Sequence, residues 1–281
     1  MRVICTISEI REIIREWKKE GFSVGFVPTM GYLHEGHKSL IEKASSENQR
    51  VVVSTFVNPT QFGANEDLNK YPRDLERDTN LCEKAGAHIM FVPSADEMYP
   101  TTPLTFVNVN ILTEGLCGEK RPGHFQGVCS VVTKLFNIIT PNRAYFGEKD
   151  AQQLAVIRQM VKDLNMDVKI IGCPIIREND GLAKSSRNTY LSDEERKAAL
   201  ILNKSLKHAN ELLLEGEKNT EKIIESIKSF IISEPLAKID YVQIVDSETL
   251  KSVDKIEKPV LIAIAVFIGK TRLIDNFTWS N

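Results

Sequence analysis

The sequence has few of the features that mark disulfide-rich, membrane or nucleic-acid-binding proteins. Its five cysteines form no Cys-x-x-Cys pair, so we expect reduced, buried thiols and neither a disulfide framework nor a zinc ribbon. The longest apolar run, residues 260–268, is too short to cross a bilayer, and Glu9 interrupts the N-terminal apolar stretch that a signal peptide needs. A net charge of −2 gives no global attraction to nucleic acid. We therefore expect a cytoplasmic protein that binds neither nucleic acid nor membranes.

Three common catalytic motifs are also absent. No Gly-x-Gly-x-x-Gly follows the first predicted strand, and the Gly-Lys-Thr at residues 269–271 lacks the upstream glycine of a P-loop because Ile264 stands there. His34 and His37 are three residues apart, whereas the zinc-protease motif needs a spacing of four to place both on one helical face. The sequence therefore does not indicate a dehydrogenase, a P-loop kinase or a zinc protease.

Over roughly the first 170 residues, short apolar segments alternate with amphipathic ones. Thr6 and Glu9 have the spacing of a capping box that starts a helix ending near Gly21. The alternation predicts an α/β fold with a Rossmann-like, doubly wound parallel sheet covered on both faces. The predicted strands cover 22–27 (closed by Pro28), 50–57, 88–92, 144–146 and 168–173, and the further helices 37–47, 74–85, 126–140 and 150–165.

After Asn188 the pattern changes to helices followed by strands. Ser192 and Glu195 form another capping box, which predicts one long helix to Glu215. This order predicts a smaller α+β C-terminal domain, and we divide the chain into domains 1–176 and 177–281. The predicted elements are a helix over 220–232 and strands over 239–245, 260–268 and 271–279.

Polar clusters follow the predicted strands, where ligands of open α/β sheets bind. His34 and His37, with Gly36 between them, stand at a strand-to-helix junction. A helix N-terminus and two imidazoles suit an anion such as phosphate. An isolated pair of this kind is more often a pair of surface histidines beside a turn. The other clusters are residues 58–61, 147–153 and 177–187.

Several residues in these clusters have a chemical and an ordinary interpretation. Lys149 and Arg187 can place positive charge against phosphate, but either alone is more often a solvated surface charge. Gln61 and Gln153 can hold a small hydroxy acid through its hydroxyl and carboxylate groups. Asp150 can accept hydrogen bonds from ribose or cap the following helix, and both roles can coexist.

Six sequence blocks together resemble the pantoate–β-alanine ligase family of the HIGH-type nucleotidyltransferase superfamily. They occur in the family's order and span most of residues 25–190. The resemblance implies ATP-dependent condensation of pantoate with β-alanine through pantoyl adenylate, with Mg²⁺, in a homodimer whose C-terminal domain covers the active site. The blocks are PTMGYLHEGH (28–37), FVNPTQFG (56–63), YPR (71–73), RPGHF (121–125), FGEKDAQQ (146–153) and SSRN (185–188).

The resemblance also implies roles for individual residues. His34, His37, Lys149 and Arg187 would be catalytic, and Asp78 would help to hold Mg²⁺. Gln61 and Gln153 would bind pantoate, in a pocket or under a flap formed with Asn58, Tyr71, Arg121 and His124. Lys184 departs from the apolar residue of many relatives, which affects the expected adenine contacts. The residues implied for ATP are Met30, His34, His37, Gly147, Lys149, Asp150, Ile176, Lys184, Ser185, Ser186 and Arg187.

Two other functions use the same residues. A nucleotidyltransferase that attaches AMP or CMP to a phosphorylated acceptor would also use His34 and His37, although Gln61 and Gln153 suit an uncharged or carboxylate acceptor better. A nucleotide-binding regulatory module would not need the catalytic cations. Because an acyl adenylate must be shielded from water, we expect residues 62–71, which include Gly63 and Asn65, to form a closing loop.

Overall fold

The computed structural model describes residues 1–63 and 66–280. Its contacts divide the chain into two compact units. Unit 1 comprises residues 1–110, 121–148 and 153–174, and unit 2 comprises residues 111–120, 149–152 and 175–281. Unit 2 therefore includes two short segments of the predicted domain 1–176, residues 111–120 and 149–152, in addition to the C-terminal part of the chain.

Unit 1 is built on a parallel sheet with the strand order β1-β4-β3-β2-β5-β6. Together with its helices it confirms the predicted doubly wound α/β fold. The edge strand β1 was not predicted, because three residues are too few to show a period. The strands are β1 Arg2–Ile4, β2 Val24–Thr29, β3 Arg50–Thr55, β4 Ile89–Phe91, β5 Arg143–Gly147 and β6 Lys169–Cys173.

Helices cover both faces of this sheet, as two adjacent residues of β2 show. Successive strand residues point to opposite faces. Val27 packs in a buried cluster with Ile41 of α2 and Cys82 of α3, whereas the ring of Phe26 contacts that of Phe136 in α6 at a centroid distance of 6.3 Å. The helices up to residue 163 are α1 Ile7–Lys19, α2 Glu35–Glu47, α3 Leu75–Lys84, α4 Ala95–Met98, α5 Leu116–Lys120, α6 His124–Ile139 and α7 Ala151–Asp163.

Strands β2 and β5 separate towards their carboxyl ends. β2 pairs with β3 along its whole length, but with β5 only at Gly25 and Phe26. The strand does not end at Pro28, as predicted, but continues to Thr29. Thr29 O accepts from Phe56 N on the β3 side. Because the backbone groups of adjacent strand residues point to opposite sides, the N atom of Pro28, which lacks a hydrogen, points to the β5 side, where β5 no longer pairs with β2. The chain runs from β2 to β3 on one side and reaches β5 on the other, so this gap is the switch point of the sheet.

Unit 2 contains a three-stranded antiparallel sheet in the order β7-β8-β9. Its core joins this sheet to the helices that precede it, with Leu202, Leu206, Ile227 and Ile264 all buried in one cluster. This confirms the predicted smaller α+β region, and the structure shows that its sheet is antiparallel. Its further elements are α8 Asp193–Ala198, α9 Leu200–Leu214, α10 Thr220–Ile232, β7 Ala237–Asp246, β8 Val260–Ile268 and β9 Thr271–Trp279.

Two helix predictions need correction. The capping box of Ser192 and Glu195 is present, but the single predicted helix is divided into α8 and α9, because Leu202 N bonds to Ala199 O in a tighter turn. Thr6 caps α1, but Glu9 pairs with Arg2. Among residues 1–63 and 66–280, we find no helix with the length and apolarity that a membrane span requires.

Candidate active site

The turn between β2 and α2 places the two predicted histidines at a helix N-terminus. The backbone is left-handed at Gly31, with φ of +86°, and at Tyr32, with φ of +51°. A side chain at residue 31 would put its Cβ 2.6 Å from the Thr55 Cγ2 atom, so this tight passage requires glycine. His34 is the N-cap of α2, and His37 lies in its first turn.

Backbone donors determine which nitrogen of each histidine carries the proton. Gly36 N donates to His34 Nδ1 at 3.1 Å, and His34 N donates to His37 Nδ1 at 3.2 Å. Because an Nδ1 atom that accepts a hydrogen bond carries no proton, each neutral ring is protonated at Nε2. The two ring centroids are 4.1 Å apart. The arrangement provides two adjacent N–H donors at the positive end of a helix, which suits phosphate oxygens.

Asp78 does not fit the predicted magnesium role. This residue of α3 is 1% exposed. Its Oδ2 accepts from Tyr32 N at 2.7 Å, and its Oδ1 accepts from Leu33 N at 2.6 Å. Two N–H dipoles directed at both oxygens disfavour a cation there. Among the residues described, we find no group of three or more His, Cys, Asp or Glu side chains arranged to hold a metal ion.

Gln61 is buried at the end of a short 3₁₀ turn, Pro59–Gln61, that follows β3. Its Nε2 lies 3.1 Å from Met30 Sδ, so two predicted ligand residues are neighbours. Its Oε1 accepts from Asn58 Nδ2 at 3.2 Å. This part of unit 1 therefore brings Met30, from the end of β2, together with Gln61, from the end of β3.

Asn58, which was predicted to line the pocket or its flap, supports Gln61 through a hydrogen bond. It is 1% exposed. Its Nδ2 also donates to Gly127 O at 3.2 Å, and its Oδ1 accepts from the Tyr99 hydroxyl at 2.9 Å. Its amide is thus used by protein groups, and Tyr99 is a partner that the sequence analysis missed.

Arg121, His124 and Glu66 form a hydrogen-bonded chain that ends at the Gln61 backbone. Arg121 contacts both carboxylate oxygens of Glu66, at 2.6 and 2.7 Å. Its Nη1 lies 2.9 Å from His124 Nε2, and His124 Nδ1 lies 2.8 Å from Gln61 O. Since guanidinium only donates and a carbonyl only accepts, the chain fixes a neutral His124 protonated at Nδ1.

Glu66 was not predicted, although it lies in the segment expected to close over the site. Burial raises the pKa of Glu66, but the Arg121 guanidinium outweighs this effect and holds the pKa below its ordinary value. The charged pair therefore persists near neutral pH and ties the segment to the start of α6. Tyr71, at the other end of the segment, is buried. Asn65 lies outside the described residues.

Within the FGEKDAQQ block (146–153), residues 149–152 belong to unit 2, whereas Gly147 and Gln153 belong to unit 1. Gly147 ends β5 in unit 1, and Gln153 is half-buried on α7. Between them, Lys149 pairs with Asp150, with Nζ 3.2 Å from Oδ2. Gln152, which carried no predicted role, is buried and donates to Leu112 O and Gly115 O at 2.9 and 2.8 Å.

The other predicted nucleotide residues of unit 2 lie on one hairpin and the turn after it. Lys184 N donates to Ile176 O at 2.9 Å, which pairs these residues across the hairpin. Ser185 Oγ accepts from Arg187 N at 3.3 Å and caps the 3₁₀ turn Ser186–Tyr190. Ile176, Lys184, Ser185, Ser186 and Arg187 are therefore close in space.

Arg177 anchors this hairpin to β9 and was missed by the sequence analysis. Its two terminal nitrogens donate to the Asp275 carboxylate at 2.6 and 2.9 Å. The Asp275 side chain is 1% exposed. Arg177 Nη1 also donates to Gly181 O at 3.1 Å. The guanidinium of Arg177 is thus paired with a buried carboxylate.

Within unit 1, the structure thus groups Met30, His34 and His37 in the turn after β2 and joins Asn58, Gln61, Arg121 and His124 in one network. Within unit 2 it groups Lys149 with Asp150, and Ile176 with residues 184–187. Each of the two units holds part of the predicted residue set.

Solved structures of the same fold belong to a class of ATP-using ligases. A pantothenate synthetase from Thermus thermophilus superposes with a TM-score of 0.93 at 46% identity, covering 99% of both chains. The Francisella tularensis pantoate–β-alanine ligase, complexed with βγ-ATP and β-alanine, superposes with a TM-score of 0.81 at 38% identity, covering 99% of this chain and 97% of that one.

Sequence comparison identifies the family. The pantoate–β-alanine ligase family model matches residues 2–278. A pantothenate synthetase from Clostridium acetobutylicum is 64% identical over the full length of both chains, and one from Enterococcus faecalis is 65% identical over 99% of each. The chain therefore belongs to the pantoate–β-alanine ligase family. It is an enzyme, a ligase that joins pantoate to β-alanine.

We predict that Arg177→Ala lowers the free energy of unfolding by about 3–5 kcal/mol, because it leaves the buried Asp275 carboxylate without its counter-charge. Urea unfolding followed by circular dichroism measures the change. Arg2→Ala is the matched control: Arg2 pairs with Glu9 but its side chain is 62% exposed, so its loss should cost less than about 1 kcal/mol. Equal effects of the two substitutions would contradict the anchoring role of Arg177.

Proposed function

We propose that the ligase works in two steps through pantoyl adenylate. A pantoate carboxylate is a poor acyl donor, so its oxygen first attacks the α-phosphorus of ATP, and the bond to pyrophosphate breaks. The β-alanine amine then attacks the carbonyl carbon of the mixed anhydride, loses a proton and displaces AMP, which gives pantothenate. The observation that carries this proposal is the pair of Nε2–H donors of His34 and His37 at the N-terminus of α2.

These donors suit the first step, in which negative charge increases on the transferred phosphate and on pyrophosphate. We assign the histidines to the phosphates, together with Lys149 and Arg187. One oriented donor of this kind contributes about 3 kcal/mol to transition-state stabilisation. In this proposal Met30, Gly147, Asp150, Ile176, Lys184, Ser185 and Ser186 also contact the nucleotide. The proposal requires residues of both units to contact one ATP molecule, with the C-terminal region covering the site.

Pantoate is assigned to Gln61 and Gln153. Gln61 is 8% exposed and is held by Asn58, so its amide has little freedom to turn, and a pre-organised amide loses little entropy on binding. Tyr71, Arg121 and His124 would form the wall and flap beside it. The complex of the Francisella tularensis relative with βγ-ATP and β-alanine supports the assignment of the other two substrates.

We also propose that ATP is used with Mg²⁺. Because Asp78 does not fit as a ligand, the ion would be held by phosphate oxygens and water, which Mg²⁺ retains readily. A cytoplasmic location is consistent with the cysteines: all five are free, four of them are buried, and only Cys5 is exposed. The prediction of buried thiols is therefore wrong for Cys5.

The two-step route predicts that label from pyrophosphate enters ATP when pantoate is present and β-alanine is absent. Reversal of the first step needs no amine, so the exchange should proceed with pantoate alone. The measurement is the radioactivity in ATP after separation from pyrophosphate, with a reaction lacking pantoate as the control. An exchange that requires β-alanine would exclude an adenylate that forms before β-alanine takes part.

Gln61→Ala should weaken pantoate binding selectively. The loss of its hydrogen bonds should cost about 1–3 kcal/mol, or roughly five- to 150-fold in affinity. Calorimetric titration of pantoate into protein saturated with a non-hydrolysable ATP analogue measures the effect, and a separate titration measures the analogue. Gln49→Ala, at an exposed glutamine of unit 1, should leave both affinities unchanged. If Gln61→Ala instead weakens the nucleotide alone, the two pockets are assigned the wrong way round.

We further propose that the enzyme is a homodimer, and exposed apolar side chains of unit 1 support this. Leu104 is 92% exposed and Phe106 is 47% exposed in a segment without helix or strand. Light scattering should give twice the monomer mass, and Leu104→Ser should shift the equilibrium towards the monomer. Leu164→Ser, at a leucine 50% exposed elsewhere in unit 1, should not. A wild-type monomer at high concentration would refute the dimer.

A further inference from the structure

The turn that carries His34 adopts an unfavourable backbone conformation. Gly31 and Tyr32 are both left-handed, with φ of +86° and +51°. For a residue with a side chain, such as Tyr32, this conformation is unfavourable because the Cβ atom crowds the backbone. A conformation of this kind persists only where surrounding groups hold it. The interactions that hold this turn therefore also determine where His34 and the first turn of α2 are placed.

Helix α3 holds the turn through a buried carboxylate. The N–H groups of Tyr32 and Leu33 converge, as they do in a backbone anion nest, and each donates to a different oxygen of Asp78, at 2.7 and 2.6 Å. The next residue, His34, is the N-cap of α2. Asp78 thus fixes the two peptide groups immediately before this histidine.

Other contacts from the same helix and from β2 act on the same turn. The Arg77 guanidinium lies 4.7 Å from the centroid of the Tyr32 ring, so α3 contacts both the backbone and the side chain of this residue. Thr29 Oγ1 accepts from Gly31 N at 3.2 Å. The turn is therefore held on both sides, but Asp78 is the contact that pairs two of its N–H groups at once.

The buried position of Asp78 has an electrostatic cost. Burial raises the pKa of Asp78, and the N–H groups of Leu33 and Tyr32 offset this only in part. The Asp74 carboxylate on the same helix also raises it, whereas the Arg77 guanidinium lowers it. These surroundings disfavour the ionised form, but the two oxygens accept from two N–H groups of the turn, and this geometry indicates the role of Asp78.

We propose that Asp78 is a positioning residue of the ligase: it fixes the turn that carries His34 and does not bind Mg²⁺. This inference rests on the proposed role of His34 at the ATP phosphates. Loss of Asp78 should therefore reduce the rate of adenylate formation and leave the binding of pantoate and the metal requirement largely unchanged.

The first experiment compares Asp78→Asn with Asp74→Asn in the pantoate-dependent exchange of pyrophosphate into ATP. Asp74 caps the same helix, and asparagine caps equally well, so this control should retain its activity. Asp78→Asn keeps the size of the side chain but places an amide against one N–H donor. A displacement of about 1 Å at a catalytic group can cost 100-fold, and we expect a tenfold to 100-fold lower maximal rate, with the KM for pantoate within about threefold of wild type.

The same assay, repeated over a range of Mg²⁺ concentrations, separates positioning from metal binding. We expect the Mg²⁺ concentration for half-maximal rate to be the same in Asp78→Asn and wild type. A higher requirement, with activity recovered at high Mg²⁺, would overturn the inference and identify Asp78 as a metal ligand. If Asp78→Asn does not fold, as judged by circular dichroism, Asp78→Glu replaces it, because one added methylene displaces the oxygens while the charge is kept.

A double-mutant cycle tests whether Asp78 acts through His34. His34→Ala should itself lower the rate by about 100-fold. In that background, Asp78→Asn should cause less than about a further twofold loss, because the group that it positions is gone. Multiplying losses would overturn the positioning role and leave the proposed function intact. A near-normal rate for His34→Ala would refute the proposed role of His34 and, with it, the inference.

Discussion

At the carboxyl end of β2 the backbone must leave the sheet, reverse through two left-handed residues and enter α2, and the N–H groups that it exposes on the way need acceptors. Asp78 supplies both acceptors for Tyr32 and Leu33. The histidine rings continue the same pattern, since His34 and His37 accept from backbone N–H groups of the first helical turn. The pairing of buried backbone donors therefore shapes this end of unit 1 before any substrate is present.

This pairing has a chemical consequence. An imidazole whose Nδ1 accepts from the backbone carries its proton at Nε2, so His34 and His37 are neutral donors that need no change of tautomer. His124 has the opposite tautomer, because Gln61 O requires a donor and Arg121 requires an acceptor. The hydrogen bonds thus place the proton on Nε2 in His34 and His37 and on Nδ1 in His124.

The pantoate side of the proposed site depends on buried polar groups in the same way. Asn58 uses its amide on Gln61, Gly127 and Tyr99, so that Gln61 is held between Asn58 and Met30. An added Cβ at Gly127 would lie 2.6 Å from the Gln61 Cα atom, which shows how closely α6 approaches this turn. A polar residue in a motif can therefore serve as the support of a proposed ligand-binding group, as Asn58 does for Gln61.

The sequence by itself determined the alternation of strands and helices, the parallel sheet and the position of His34 and His37 at the start of a helix, because periodicity and capping depend on neighbours in the chain. It did not determine which polar side chains face a ligand and which face another part of the protein. Asp78, Asn58, Gln152, Arg177 and Glu66 are charged or amide residues that each have a partner far away in sequence, and only the tertiary packing showed those partners. Pro28 is a similar case: it remains within β2 because β5 has already separated on its N side. Local patterns are encoded by residues a few positions apart, whereas the use of a buried donor or acceptor is decided by whichever segment the fold brings against it.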